Sequence, residues 1–375
     1  MKKLITFIFG TRPELIKLAP LINAAKNSFD VRVVSTGQHK ELINNLYEWF
    51  DIKVDFNLDV MQANQSPGQV IASILNATEE PLKNSDFVVV QGDTASAFAG
   101  AMSAFLQKIP VIHLEAGLRT DDVYNPFPEE MLRRQISQLT TIHLPPTELA
   151  ANNLKREGFA ENIHIVGNTV IDSLKNTIER LNKLEKEDLK NLRKHLTLPE
   201  IDLENKKLIL VTMHRRENLG EEHSNVAKAL ARIADEFADS LIIFPIHPNP
   251  SVRKAVEPYL KGKKNVLLIE PVDYVSFSWL MMKSYILVTD SGGLQEEGCF
   301  LGKPTLVLRK TTERPEAVNA GVAELIGTEE DVVYLKTREL LSDLAAYKKM
   351  AKASSAFGDG NSSGKVLGII SGFKN

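Results

Sequence analysis

The sequence predicts an α/β protein built from two doubly wound, Rossmann-like parallel-sheet domains that face each other. Three observations carry this. Short apolar runs alternate with helical-period segments along nearly the whole chain. A length of 375 residues exceeds one ordinary hydrophobic core and fits two. Each half also opens alike, a strand leading into an arginine-bearing loop: "ITFIFGTRPE" in the first, "LILVTMHRREN" in the second. Such alternation implies parallel sheets covered on both faces.

In chain order, the first-half strand candidates are "KLITFIF", "VRVVST", "DFVVVQ", "IPVIHLE", "TIHLP" and "IHIVG". The second-half candidates are "KLILVT", "SLIIFPI", "NVLLIE", "SYILVTD" and "KPTLVL". Helical patterns fall between most of them, as in "SAFAGAMSAFLQ" and "SNVAKALARIADEFAD". From Asp172 to about Lys207 the chain is dense in Lys, Glu, Leu and Asn, which reads as an exposed helix and linker. The expected domains are therefore 1–171 and 172–355. Residues 356–375 form a Gly/Ser-rich crossing and a short helix that packs back on the first domain.

Composition narrows the function. Apolar residues make up 43% and charged residues 25%, the balance of a globular enzyme. A net charge of −3 advertises neither nucleic acid nor anionic membrane as a partner. Cys299 is the one cysteine, so no internal disulfide or cysteine zinc site can form, which fits a reducing cytosol. The opening "MKKLITFIF" is too short for a secretory core and is followed by Arg12; it reads as a first buried strand. No run approaches a membrane span.

In doubly wound sheets, ligands bind beyond the carboxyl ends of the strands, so the polar residues there are the candidates. "ILVTDSGGLQEEG" is a strand, a Ser291-Gly292-Gly293 turn and a helix start. The glycines allow close backbone approach, and the first-turn N–H groups offer an anion site. The bland reading is a structural turn capped by Ser291. Glu297, one to two turns on, can accept ribose hydroxyls or simply be a solvated acid. Arg12 and Lys17 follow the first strand, and His214, Arg215 and Arg216 take the matching place in the second half. Together they suit a diphosphate.

The other end is acidic. "DFVVVQGDT" ends its strand in Asp93, "IPVIHLEAGLRT" ends the next in Glu115 and Arg119, and Glu129 enters by the Pro126–Pro128 loop. Three converging carboxylates would repel and titrate apart, which suits general acid/base work. Magnesium binding and helix capping are the alternatives. His113, His143 and His164 read as core residues, and His195 and His223 as surface ones. His39 and His247 follow strands and are candidates for ligand contact.

The blocks "GTRPELIKLAP", "TGQH", "QGDT", "HLEAGLRT", "PFPEEM", "VGNTVID", "MHRREN", "PIHPNP", "TDSGGLQEEG", "LGKPTLVLR" and "TERPEAV" occur in this order from about residue 4 to 328. The set resembles the non-hydrolysing UDP-N-acetylglucosamine 2-epimerases. The resemblance implies the glycosyltransferase-B-type fold and interconversion of UDP-N-acetylglucosamine and UDP-N-acetylmannosamine without metal, NAD or other cofactor. It further implies a cytoplasmic homodimer. Asp93, Glu115, Glu129 and His214 match catalytic positions. Arg12, Lys17, Arg119, Arg133, Arg215, His247, Phe277 and Arg314 match substrate contacts, and Ser291, Gly292, Gly293 and Glu297 the diphosphate and ribose contacts. Gln38 and His39 match a second nucleotide-sugar site found in bacterial members.

Some positions depart from the family pattern. Leu132 precedes Arg133 where asparagine is usual. Asn64 and Glu41 stand where an arginine and a glutamine are common, which implies weak or absent activation through the second site. The nearest alternative is an epimerase of a UDP-2,3-diacetamido-uronic acid, disfavoured by "PFPEE" and Arg314. A UDP-sugar glycosyltransferase would share the fold but need an acceptor.

Overall fold

A computed structural model describes residues 2–38, 43–62, 64–120, 122–196, 203, 205–213 and 220–373, without the side chains of 193–195. The chain divides into two compact units, Met1–Ser173 with Phe357–Asn375, and Leu174–Ala356. Each carries one parallel six-stranded sheet flanked by helices.

The first sheet runs β3-β2-β1-β4-β5-β6. Its strands are β1 (Leu4–Phe9), β2 (Asp30–Ser35), β3 (Phe56–Asn57), β4 (Phe87–Gln91), β5 (Val111–Leu114) and β6 (Ile142–Leu144). The central strands are continuous apolar runs because helices cover both faces. Ile8, Val34, Val88, Val90 and Val111 share one cluster with Ala97, Ala101 and Ala104 of the helix Ala95–Leu106. Strand order reverses at β1, whose neighbours are β2 and β4. The turns after β1 and β4 thus flank the switch point where such sheets place ligands. Those turns hold Arg12 and Asp93.

The second sheet runs β12-β11-β10-β7-β8-β9. Its strands are β7 (Lys207–Thr212), β8 (Ser240–Pro245), β9 (Val266–Ile269), β10 (Ile286–Thr289), β11 (Thr305–Val307) and β12 (Ala323–Leu325). Its reversal lies between β7 and β10, which pair in register from Ile286 against Ile209. The Ser291-Gly292-Gly293 turn follows β10 directly. Among the described residues, no helix is long and apolar enough to cross a membrane.

Three expectations need correction. "IHIVG" makes only one bridge, His143 to Ile163, before Gly167, at φ 89°, turns the chain toward the helix Thr169–Leu181. The short edge strands β3 and β12 have no apolar run to announce them. Asp172 is not an exposed linker residue: it is 3% exposed, and its carboxylate accepts the N–H groups of Ser362 (3.2 Å) and Ser363 (2.8 Å). It therefore caps the last helix, Ser362–Gly372, within the first unit.

Candidate active site

The first unit gathers its polar groups at the switch point. Glu115 leaves β5 with φ at 62°, a left-handed conformation that costs a non-glycine residue about 1–2 kcal/mol. The turn directs its carboxylate to Lys17, whose Nζ lies 2.5 Å from Oε2. Gln91, at the end of β4, donates to the same oxygen. Asn168 Nδ2 donates to the other, Oε1, at 3.2 Å. A Cβ on Gly92 would lie 3.8 Å from Glu115 Oε2, so the β4 turn that carries Asp93 packs against Glu115.

Asp93 is held by Arg133, whose Nε and Nη2 both donate to Oδ2, the former at 2.9 Å. Arg133 also pairs with Glu130 at 3.3 Å. Glu130 is fully buried and binds Arg134 (2.7 Å) and the Thr120 N–H (3.0 Å), so it serves the loop's architecture. Glu129 opens the helix Glu129–Leu139 and has no hydrogen-bond or ion-pair partner among the described residues. Asp93 and Glu115 each face a cation, and no group of three acids, histidines or cysteines close enough to hold a metal occurs among the described residues.

Arg119 and Arg133, expected as substrate contacts, are engaged by the protein itself. Arg119 forms a two-pronged pair with Glu157, both contacts 2.7 Å, and donates to Ser137 Oγ at 2.9 Å. Its guanidinium holds the Glu157 carboxyl below the usual range. Arg133 is 6% exposed and occupied by Asp93 and Glu130. In this structure both arginines fix the acidic loop. Arg12 opens the helix Arg12–Ala25 and is half-buried.

Glu14 was missed by sequence reasoning. Its carboxylate accepts from Gly10 N (3.1 Å), Thr11 N (2.8 Å), Thr11 Oγ1 (2.7 Å) and Thr94 Oγ1 (2.7 Å). It ties the β1 turn to the β4 turn from full burial, which pushes its carboxyl upward against those bonds. The signal was Thr11-x-x-Glu14, a capping-box spacing. Gln38 Oε1 accepts from Ser96 Oγ at 2.9 Å. Asn64 is exposed at φ 62°. His39, Glu41, His214, Arg215 and Arg216 lie outside the described residues.

His113 is fully buried, with Nε2 2.7 Å from the Gly92 carbonyl. Burial lowers its pKa to about 3, and that of His143, its neighbour on β6, to about 4. Both are neutral in the fold, whereas the unfolded chain protonates near 6.5. Their stabilising contribution is complete above pH 6.5 and is lost as pH falls toward 4 and 3. Each adds a slope of about 1.4 kcal/mol per pH unit in that window. The urea midpoint should fall from pH 6.5 to 5, and less steeply in His113→Gln. A midpoint flat across the window would contradict neutral burial. His223, expected at the surface, is fully buried on the inner face of the helix Glu221–Glu236.

In the second unit, Ser291 precedes the helix Gly292–Leu301. Its N–H donates to Thr289 Oγ1 at 2.9 Å, and Thr289 bonds Thr212 Oγ1 on β7 at 2.7 Å. Gly293 has open space where a Cβ would stand, which leaves the first helical turn approachable. A Cβ on Gly292 would come 3.6 Å from Arg314 Cζ, so that guanidinium lies against the turn. Arg314 is steadied by Glu296, Nε to Oε1 2.5 Å. Glu297 is 6% exposed; burial, and then the Glu297 charge, push the Tyr274 phenol well above its ordinary range. Phe277, on the helix Tyr274–Lys283, is half-buried. His247 is exposed just after β8, and its Nδ1 accepts from Asn249 N at 3.2 Å.

Comparison with known proteins gives a consistent result. A family model described as UDP-N-acetylglucosamine 2-epimerase matches residues 22–371. The UDP-N-acetylglucosamine 2-epimerase of Campylobacter jejuni is 44% identical, covering 100% of this chain and 99% of that protein. The crystal structure of the Neisseria meningitidis UDP-GlcNAc 2-epimerase, bound to UDP-GlcNAc, matches at TM-score 0.90 and 41% identity over 99% of each chain. The Methanocaldococcus jannaschii enzyme in complex with UDP-GlcNAc and UDP matches at TM-score 0.80 and 33% identity, again over 99% of each.

Proposed function

The chain belongs to the UDP-N-acetylglucosamine 2-epimerase family, and from that premise we propose that it interconverts UDP-N-acetylglucosamine and UDP-N-acetylmannosamine by elimination and re-addition of UDP. The C2 proton is not acidic, because no carbonyl adjoins that carbon. Its removal becomes feasible when the C1–O bond to UDP breaks in the same phase. The C2–H electron pair forms the C1=C2 bond of a 2-acetamidoglucal, and UDP leaves with the C1–O pair. In the return step a UDP oxygen bonds C1 while C2 takes a proton on its opposite face. No electrons are gained or lost overall, so the route needs no redox partner.

Two faces call for two proton-handling groups, and Glu115 carries the reading. A strand-end carboxylate in a strained backbone, held by an ammonium and two amides, is built for one orientation. Asp93 and Glu129 are the further acids, and His214 joins them by the family match. Arg12, Lys17, Arg215 and Arg314 meet the diphosphate, with the Ser291-Gly292-Gly293 turn stabilising charge on the departing phosphate. Glu297 accepts from the ribose, and His247 and Phe277 line the nucleotide. Gln38 and His39 form a second, weak nucleotide-sugar site. The enzyme acts as a cytosolic homodimer. Incubation with UDP-N-acetylglucosamine alone, followed by proton NMR, should yield the manno epimer without any acceptor. Free sugar plus UDP, or no change, would contradict the reading.

A further inference from the structure

We propose that Asn168 is a positioning residue for Glu115, set in place by the returning C-terminal segment. This rests on the reading of Glu115 as a proton-handling group. Asn168 uses its amide in two directions. Its Oδ1 accepts from Val170 N at 3.1 Å, fixing the start of the helix Thr169–Leu181. Its Nδ2 donates to Glu115 Oε1 at 3.2 Å. Asn168 is 3% exposed, so this bond faces little competition from water. Lys17 and Gln91 both engage Oε2, and Asn168 holds the other oxygen, so its amide constrains the rotation of the carboxylate.

The backbone around Asn168 is equally determined. Its N–H donates to the Phe357 carbonyl at 2.6 Å. That approach requires two glycines. Gly167 has φ 89°, and a Cβ there would lie 2.9 Å from Gly358 Cα and 2.7 Å from Ser362 Oγ. Gly358 has φ 124°, and its Cβ would meet Gly167 Cα at 3.3 Å. Asp172 closes the junction by capping Ser362 and Ser363. Residues 357–363, far away in sequence, thus determine where the Asn168 amide points.

Other charged groups also face Glu115. Lys17 comes from the helix Arg12–Ala25, and the β4 turn, whose Gly92 lies close to Glu115 Oε2, carries Asp93 paired with Arg133 of the helix Glu129–Leu139. His113 sits on its own strand and is neutral, and the Arg119 charge also acts on it. Asn168 adds no charge, so Asn168→Ser removes its hydrogen bond alone, whereas Asn168→Asp removes the bond and adds a like charge. Asn168→Asp keeps the oxygen that caps Val170 and replaces the donor with a second carboxylate. It should raise the Glu115 pKa, since both lost hydrogen bonding and like charge disfavour the carboxylate.

Two readouts are taken on the whole protein. The first is a ¹³C carboxyl NMR titration, with Glu115 assigned by difference from Glu115→Gln. The second is the pH profile of epimerisation. The titration should move up in Asn168→Asp. The limb set by Glu115 should move with it, with kcat lowered about tenfold or more and KM changed less than about threefold. If Asn168→Asp does not fold, Asn168→Ser keeps a capping oxygen and should shift both readouts in the same direction. An unmoved Glu115 titration in a folded variant overturns the proposal, whether or not the wild type epimerises. A wild type that does not epimerise overturns only the functional reading, because the titration still decides the role of Asn168.

Discussion

Replacement of Glu115 by glutamine should lower kcat by at least about 100-fold, the scale of general acid/base catalysis. The variant keeps the volume of the side chain and the left-handed turn at φ 62°. What changes is chemistry. The carboxylate accepts from Lys17 Nζ, Gln91 Nε2 and Asn168 Nδ2. An amide offers one acceptor oxygen to these donors and turns an N–H₂ toward the rest. It also cannot take or give a proton at the reacting carbon. Glu129→Gln should cost activity on the same scale by a cleaner route. Glu129 has no partner among the described residues, so its loss should leave folding intact. The check is steady-state kinetics on variants whose thermal unfolding is compared with wild type. Near-normal turnover in either folded variant would count against its assignment.

Gly117→Ala should have the largest effect on stability. Gly117 has φ 84°, and a Cβ there would lie 2.1 Å from the Ala150 carbonyl oxygen and 2.8 Å from its carbon. The obstacle is backbone of the helix Glu148–Arg156, not the end of a flexible side chain. The left-handed conformation costs about 1 kcal/mol for alanine, and overpacking adds about 1–3 kcal/mol. A loss of about 2–4 kcal/mol corresponds to a Tm drop on the order of 5–15 °C for a unit of this size. Because Gly117 lies two residues after Glu115, activity should fall with it. Gly68→Ala is the control: no atom lies within 4 Å of its Cβ position on the helix Pro67–Leu82, so Tm should hold or rise slightly. An unchanged Tm in Gly117→Ala would show that the helix yields more easily than its geometry suggests.

These two residues mark how far the sequence could be read. The sheets were legible because buried parallel strands are written as unbroken apolar runs, and because polar residues at their ends stand out. Glu115, Asp93 and the Ser291-Gly292-Gly293 turn stand at such strand ends. Partner choice was not legible. Asp93 and Arg133 are 40 residues apart, and Arg119 and Glu157 are 38 apart. No periodicity couples such positions; only the stacking of helices on the sheet does. The donor role of Asn168 was hidden for the same reason, although "VGNT" stood out as a block. His223 was legible in principle, since His223, Val226, Ala227, Leu230 and Ile233 fall on one helical face.

The most direct test of the account is solvent hydrogen exchange at C2. UDP-N-acetylglucosamine incubated with the enzyme in D₂O should acquire deuterium at C2 in both epimers as they equilibrate. The rate should fall at least about 100-fold in Glu115→Gln and Glu129→Gln, in step with kcat. Epimer formed with its C2 hydrogen retained would contradict proton transfer through these side chains, since the hydrogen would then never have left the sugar for an exchangeable group.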